Sequence, residues 1–154
     1  MENFKLRFSF GFSMKAKIVN VKGLTFVGKA DSSHWMVMDG DEKFGGFNAA
    51  VKPMEAVLIA LGGCTGMDVV SILSKMKVEY DSFEIEINAD RTEDHPKVFT
   101  KIELKYKFKG KDLPRDKIEK AIRLSQERYC SVSAMLRKVA DIKWEIEIEG
   151  VSNS

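Results

Sequence analysis

Few residues in this sequence are of the types that usually form metal centres or nucleophilic sites. The 154-residue chain has two histidines and two cysteines, and neither CxxC nor HExxH spacing occurs, so no metal is expected. Without GxGxxG or GxxxxGK[ST], no phosphate-binding loop is indicated, and we expect no cofactor. His95 is most simply an exposed loop residue. Whether folding brings a histidine to a cysteine, as a Cys–His hydrolase requires, stays open.

The chain also lacks an excess of charge. Its 25 basic and 23 acidic residues leave a formal net charge of +2, which predicts no nucleic-acid partner and no binding to an anionic membrane. The longest apolar run, residues 56–63, is much shorter than the roughly 20 residues that cross a bilayer. Charges interrupt the apolar N-terminal residues, so no signal peptide is indicated. We therefore expect a cytoplasmic protein with reduced cysteines.

The length favours one domain, residues 14–150, with an N-terminal extension (1–13) and a short polar tail (151–154). In the extension, Phe4, Leu6, Phe8, Phe10 and Phe12 alternate with mostly polar residues. Either this segment adds an edge strand or the natural start is Met14. The strand is the favoured interpretation, because exposed phenylalanines would form a sticky patch.

Strands and helices are predicted from periodicity in the order β-β-β-α-β-β-α-α-β, an α+β fold. The predicted strands are 16–21, 24–27, 34–38, 83–88, 102–108 and about 142–148, and the helices begin near Pro53, Pro114 and Cys130. The first helix, reaching about Lys77, is apolar on nearly every side, which is typical of a buried helix. A chain of this size has little material to cover it, so we expect a homodimer with a shared core.

The two cysteines are the best candidates for chemistry. Free cysteine is usually an inert core residue, but Gly62 and Gly63 precede Cys64 and each costs about 1 kcal/mol of helix stability relative to alanine. That cost suggests a close approach to the backbone. Cys130 precedes the third helix, whose N-terminal N–H groups would stabilise a thiolate. A peroxidatic and a resolving cysteine would need such a pair of positions.

Two acids on the first helix could act on Cys64. Asp68 lies four residues after it and shares its helix face. A bare carboxylate there raises a thiol pKa, so Asp68 must be paired with a cation or directed away if Cys64 is the nucleophile. Glu55 lies nine residues before Cys64, and its simpler role is that of a helix-start acid.

The sequence resembles the OsmC/Ohr family, and most closely the YhfA-like branch of OsmC-like proteins. The match runs in order from Met14 to about Gly150. The segments that carry it are Gly23–Phe26, Met38–Gly40, Pro53–Glu55, Gly62–Cys64 and Tyr129–Val132.

The resemblance implies an intertwined α+β homodimer with buried central helices. It also implies a thiol peroxidase that reduces organic hydroperoxides, with Cys64 as the peroxidatic and Cys130 as the resolving cysteine. A dithiol, such as a lipoylated protein, would be the reductant.

Two departures from the Ohr pattern motivate an alternative. Ohr-type enzymes hold the thiolate with a glutamate directly after the proline and an arginine from an early strand. Here Met54 follows Pro53, the acid is Glu55, and the early strands offer only lysines, Lys15 or Lys17. Lysine lacks the two-pronged geometry of arginine. The alternative is a small-molecule or thiol-binding protein without significant peroxidase turnover.

Overall fold

The computed structural model describes residues 13–150, so the predictions for the phenylalanine-rich extension and for the C-terminal tail lie outside the described residues. The strands are β1 (Ala16–Lys22), β2 (Thr25–Ala30), β3 (Trp35–Met38), β4 (Ser82–Arg91), β5 (Phe99–Gly110) and β6 (Asp141–Gly150). The helices are α1 (Pro53–Lys75), α2 (Arg115–Leu124) and α3 (Ser131–Leu136), with a short 3₁₀ turn at Glu42–Phe44 and a π-helical segment at Ser125–Tyr129. The predicted order and fold class are confirmed.

The chain divides into two compact units, with the boundary after Glu55. The first contains an antiparallel sheet of order β1-β2-β3. The loop after β3 is organised by Asp39, whose carboxylate accepts N–H groups from Gly40, Phe47 and Ala49. Burial acts to raise the pKa of Asp39, but these hydrogen bonds hold it below its ordinary value.

The second unit contains a sheet of order β4-β5-β6, in which β4 pairs antiparallel and β6 parallel to β5. One face is buried, because Ile102, Leu104, Tyr106 and Phe108 alternate along β5 and all lie inward. The other face carries ion pairs between neighbouring strands. Lys107, for example, contacts both Glu84 (2.6 Å) and Glu86 (2.9 Å) on the neighbouring strand.

Within one chain, helix α1 is buried along a single stripe, and the burial of its other sides by a second chain stays a prediction. Its buried residues follow a four-residue spacing: Leu61, Thr65, Val69 and Leu73. Elsewhere on the helix Ile59 is 61% and Met67 76% exposed. A straight helix can place only one stripe of side chains against a single layer.

The full length of α1 corrects the conclusion, drawn from the longest apolar run, that no segment is long enough to cross a bilayer. By length and composition it could cross a membrane, with a mean hydropathy of 1.9 and only 22% of that stretch buried. The core helix of a soluble protein passes the same test, so one such helix is weak evidence for a membrane span.

The third helix, which the sequence predicts to begin near Cys130, has six residues. It ends at Leu136, and Val139 lies beyond it in a turn. Both Met135 and Val139 are exposed rather than part of a buried face. In the second helical region, Ser125 is buried together with Ile118, Ala121 and Ile122.

Candidate active site

Helix α1 presents Cys64 and Asp68 one turn apart, since side chains four residues apart share a helix face. Both residues are half-buried, whereas Thr65 beside them is fully buried. The glycines before Cys64 differ in their surroundings. A Cβ atom on Gly62 would lie 3.1 Å from Ile87 Cδ1, whereas one on Gly63 would have nothing within 4 Å. The inferred close approach is therefore present at Gly62 only, among the residues that the structure describes.

The π-helical segment places Cys130 at the start of α3. The Cys130 N–H donates to the carbonyl of Ser125 at 2.8 Å, a bond spanning five residues. Such π-helical turns inside helices are rare and often lie at functional sites. Ser125 and Gln126 are the buried residues of this segment, which ends at Tyr129 directly before the cysteine.

Cys130 caps α3 through its sulfur, which accepts the Ser133 N–H at 3.4 Å. The position predicted for Cys130 is confirmed, but the expected stabilisation of its thiolate is outweighed. Burial raises the pKa of the Cys130 thiol, and the neighbouring Cys64 adds to the increase, although Ser133 acts to lower it. Cys130 is only 2% exposed, so a thiolate there would be a buried charge. The six-residue helix α3 does not stabilise that charge enough to offset the cost of burying it.

Folding brings Cys64, Asp68 and Cys130 together. Their two sulfurs and a carboxylate oxygen all lie within 4.8 Å of one another, and neither cysteine is bridged. These donor atoms could reach a common soft cation. The two neighbouring thiols could equally form a disulfide with each other.

A buried polar network adjoins this cluster. It consists of Thr65, Tyr106, Ser125 and Gln126, and each of these side chains is at most 3% exposed. Ser125 Oγ donates to Asp68 Oδ2 at 3.0 Å, so the Asp68 carboxylate is not bare. Burial raises the pKa of Tyr106 to about 12, and its hydrogen bonds to Thr65 and Gln126 only partly oppose this.

Two of the candidate residues, Glu55 and Lys17, have neighbours within the first unit. Glu55 accepts the Lys52 N–H at 2.8 Å and therefore satisfies a donor at the start of α1, as expected for a helix-start acid. Lys17 is an exposed residue of β1, opposite Lys29 of β2. Both residues belong to the first unit, whereas the two cysteines belong to the second.

Reasoning from the sequence missed most of the network. Ser125 follows an apolar helix face and Tyr106 alternates with charged residues along β5, but no pattern in the sequence links either residue to the cysteines. A polar side chain at a core position of a periodic element was the available signal, since buried polar groups need partners. No pattern in the sequence pointed to Arg137, which donates to Gln126.

The fold and the site together define a class of protein. It is an α+β protein with two neighbouring thiols, one on a central helix and one at the start of a helix. The family model described as OsmC-like protein matches residues 46–145. Protein YhfA of Escherichia coli (strain K12) is 40% identical over 135 residues, covering 88% of this chain and 98% of YhfA. This chain therefore belongs to the OsmC-like protein family, and the resemblance noted from its motifs is confirmed.

Solved structures agree. A hypothetical protein from Aquifex aeolicus VF5 has a TM-score of 0.74 and 32% identity, covering 90% of this chain and 99% of that one. An organic hydroperoxide resistance protein OsmC from Legionella pneumophila has a TM-score of 0.67 and 14% identity, covering 88% and 97%. At 14% identity, the likeness to the Legionella pneumophila protein shows the fold alone.

Proposed function

We propose that this protein is a thiol peroxidase that reduces organic hydroperoxides through a disulfide cycle of Cys64 and Cys130. The observation that carries the proposal is the distance of at most 4.8 Å between the two sulfurs, which come from elements far apart in the sequence. A disulfide needs an S–S distance of about 2.05 Å. Rotation of the two side chains is the movement that the cycle requires.

The difference in burial between the cysteines assigns their order. Cys64 is half-buried and Cys130 is buried, so the hydroperoxide meets Cys64 first. The Cys64 thiolate attacks the terminal oxygen of ROOH, an S–O bond forms and the O–O bond breaks. The leaving alkoxide takes up a proton and departs as the alcohol, while Cys64 becomes a sulfenic acid.

Cys130 then resolves the sulfenic acid. Its raised pKa keeps it protonated until this step, so a base is needed, and the Asp68 carboxylate within 4.8 Å is the proposed acceptor. Cys130 sulfur attacks Cys64 sulfur, the S–S bond forms and hydroxide leaves as water after protonation. A small dithiol or a protein dithiol then reduces the disulfide and is itself oxidised to a disulfide. Because the cycle needs such reductants, we place it in the cytoplasm.

The test is the mass and free-thiol content of reduced protein after one equivalent of cumene hydroperoxide, with hydrogen peroxide in parallel. We expect both thiols to disappear with the loss of two hydrogens, faster with the organic peroxide. Cys64→Ser should abolish the reaction, and Cys130→Ser should stop at a sulfenic acid that a dimedone probe traps. Wild-type turnover in Cys64→Ser would refute the mechanism.

A second candidate function is the binding of a small molecule or thiol without significant turnover. The observation that favours it is the local role of Glu55, which bonds Lys52 N–H. The discriminating measurement is the pH dependence of Cys64 alkylation. A midpoint near the ordinary value of about 8.5 favours the binding protein, whereas a much lower midpoint favours the peroxidase.

We also propose that two chains associate through the uncovered apolar side of α1, which includes Ile59 and Met67. Burying such a stripe is favourable by roughly 25 cal/mol per Å². The check is sedimentation at micromolar protein. We expect twice the chain mass of 17.4 kDa, a shift to monomer in Met67→Glu, and no shift in the control Val98→Glu, an exposed apolar residue outside α1. A monomeric wild type would contradict the proposal.

A further inference from the structure

A continuous set of hydrogen bonds links the Arg137 guanidinium to the Asp68 carboxylate. At one end Arg137 contacts Gln126 twice: Nη1 donates to the backbone carbonyl at 2.8 Å, and Nη2 donates to Oε1 at 3.1 Å. At the other end Ser125 Oγ donates to Asp68 Oδ2 at 3.0 Å. Between these ends lie Tyr106 and Thr65.

The Arg137 contact determines how the Gln126 amide is oriented. Since arginine can only donate, the atom facing it must be the carbonyl oxygen. Gln126 Nε2 is therefore directed inward, where it donates to Tyr106 OH at 2.8 Å and to Thr65 Oγ1 at 3.1 Å. Both amide hydrogens of Gln126 are used.

One arrangement of the hydroxyl hydrogens makes every side-chain bond between Gln126 and Asp68. Tyr106 accepts from Gln126 and donates to Thr65 Oγ1 at 2.7 Å. Thr65, having accepted from both, donates to Ser125 Oγ at 2.9 Å. Ser125 donates its single hydrogen to Asp68 at 3.0 Å, a shorter contact than the 3.5 Å to the Thr65 backbone carbonyl. Every hydroxyl hydrogen is used once, and all of the bonds point from the cation towards the anion.

We propose that Arg137 is the countercharge of Asp68, acting through this hydrogen-bond chain as a positioning residue for the thiol site. Hydrogen bonds in series polarise one another, and they are strengthened by a charged group at either end and by a buried setting. The chain draws negative charge on Asp68 towards Ser125 and away from the sulfurs. A carboxylate that accepts this hydrogen bond opposes a thiolate at Cys64 less than a bare carboxylate would.

This inference rests on the proposed function only in taking Cys64 as the reacting thiol. It is therefore tested without hydroperoxide, by the rate at which iodoacetamide alkylates Cys64 in the reduced protein, located by peptide mass. Arg137→Met removes the cation, and Gln126→Glu keeps the shape and the Arg137 contact but removes both inward donors. In each variant we expect alkylation about 5-fold slower at neutral pH, equivalent to a rise of somewhat less than one unit in the thiol pKa.

Arg137→Lys keeps the charge and one donor, so alkylation should recover to within about 2-fold of wild type. Arg128→Met is the matched control, because it removes an exposed arginine of the π-helical segment that contacts the Tyr129 ring instead. It should alkylate at the wild-type rate. Thermal unfolding of each variant separates this effect from loss of folding.

Wild-type alkylation rates in folded Arg137→Met and Gln126→Glu would overturn the proposal, as would equal slowing in Arg137→Lys and Arg137→Met. These outcomes are distinguishable from failure of the peroxidase function. A protein that alkylates as expected but does not consume hydroperoxide keeps the Arg137 role and loses the proposed reaction.

Discussion

Replacing Tyr106 by phenylalanine should destabilise the protein by an amount that depends on pH. The Tyr106 hydroxyl is fully buried and bonds both Thr65 and Gln126. Its removal leaves those two groups with one partner fewer each, although both retain others. Leaving a buried polar group unsatisfied costs about 1–3 kcal/mol, and we expect a loss of about 1–2 kcal/mol at about pH 8.

Alkaline pH should reduce the difference in free energy of unfolding between the wild type and Tyr106→Phe. Burial raises the pKa of Tyr106 from 10.0 to about 12 in the folded protein, so the unfolded chain releases this proton first. The stability that depends on the protonated phenol is complete below about pH 10 and is lost as the pH rises towards 12. Between about pH 8 and about pH 11 the wild type should lose about 1 kcal/mol that Tyr106→Phe does not lose.

The assay is urea unfolding of both proteins at each pH, at one protein concentration because association shifts apparent stability. Other ionisations occur in both proteins and cancel in the comparison. Tyr129→Phe is the control: its side chain is exposed, so we expect a change within about 0.5 kcal/mol. Equal stability of wild type and Tyr106→Phe, or a difference that does not change with pH, would refute the reasoning.

Three further changes test other parts of the structure. Gly66→Ala should raise the free energy of unfolding by about 0.5–1 kcal/mol through helix propensity, because its new Cβ would lie an ordinary 3.4 Å from Ile85 Cδ1. Lys107→Met should lower stability in dilute buffer by removing two glutamate contacts, and the loss should shrink in high salt. Ser133→Ala should slow disulfide formation without lowering stability, because the Ser133 hydroxyl lacks a hydrogen bond of normal geometry among the described residues yet acts to lower the Cys130 pKa.

Unfolding in urea measures the first two changes, and stopped-flow detection of the sulfenic acid after a peroxide pulse measures the third. A less stable Gly66→Ala would mean that α1 needs a closer approach at this position than Ile85 makes. A salt-independent loss in Lys107→Met would point to packing of the lysine stem. Unchanged resolution in Ser133→Ala would remove its hydroxyl from the chemistry of Cys130.

Much of the fold was predictable because its signals are local. Alternation placed β4 and β5 and identified which face is buried, and Pro53 and Pro114 located the starts of α1 and α2 to within a residue. The apolar length of α1 also indicated a central helix. The extent of its burial was not predictable, because that depends on which layers lie against it.

The site was predictable only in part. Cys64 and Cys130 stand out as the only cysteines in the sequence, and the family resemblance suggested that they form a pair. The contact between Asp68 and Ser125 depends on α1 meeting the end of α2. The π-helical segment in which Ser125 and Gln126 are buried has no local signal in the sequence. Glu55 and Lys17 are candidates only through the resemblance to enzymes with an activating pair, and both lie in the first unit rather than in the unit of the cysteines.

The sequence by itself determined the order of elements, the family and the two thiols, since periodicity, helix starts and residue identity are properties of short segments. Only the tertiary structure decided that Asp68 is hydrogen-bonded rather than bare, that burial raises the Cys130 pKa, and that Arg137 connects to the site through four buried side chains. These features depend on distances between residues far apart along the chain. Such distances are set by how the helices pack on the sheet, which no local pattern records.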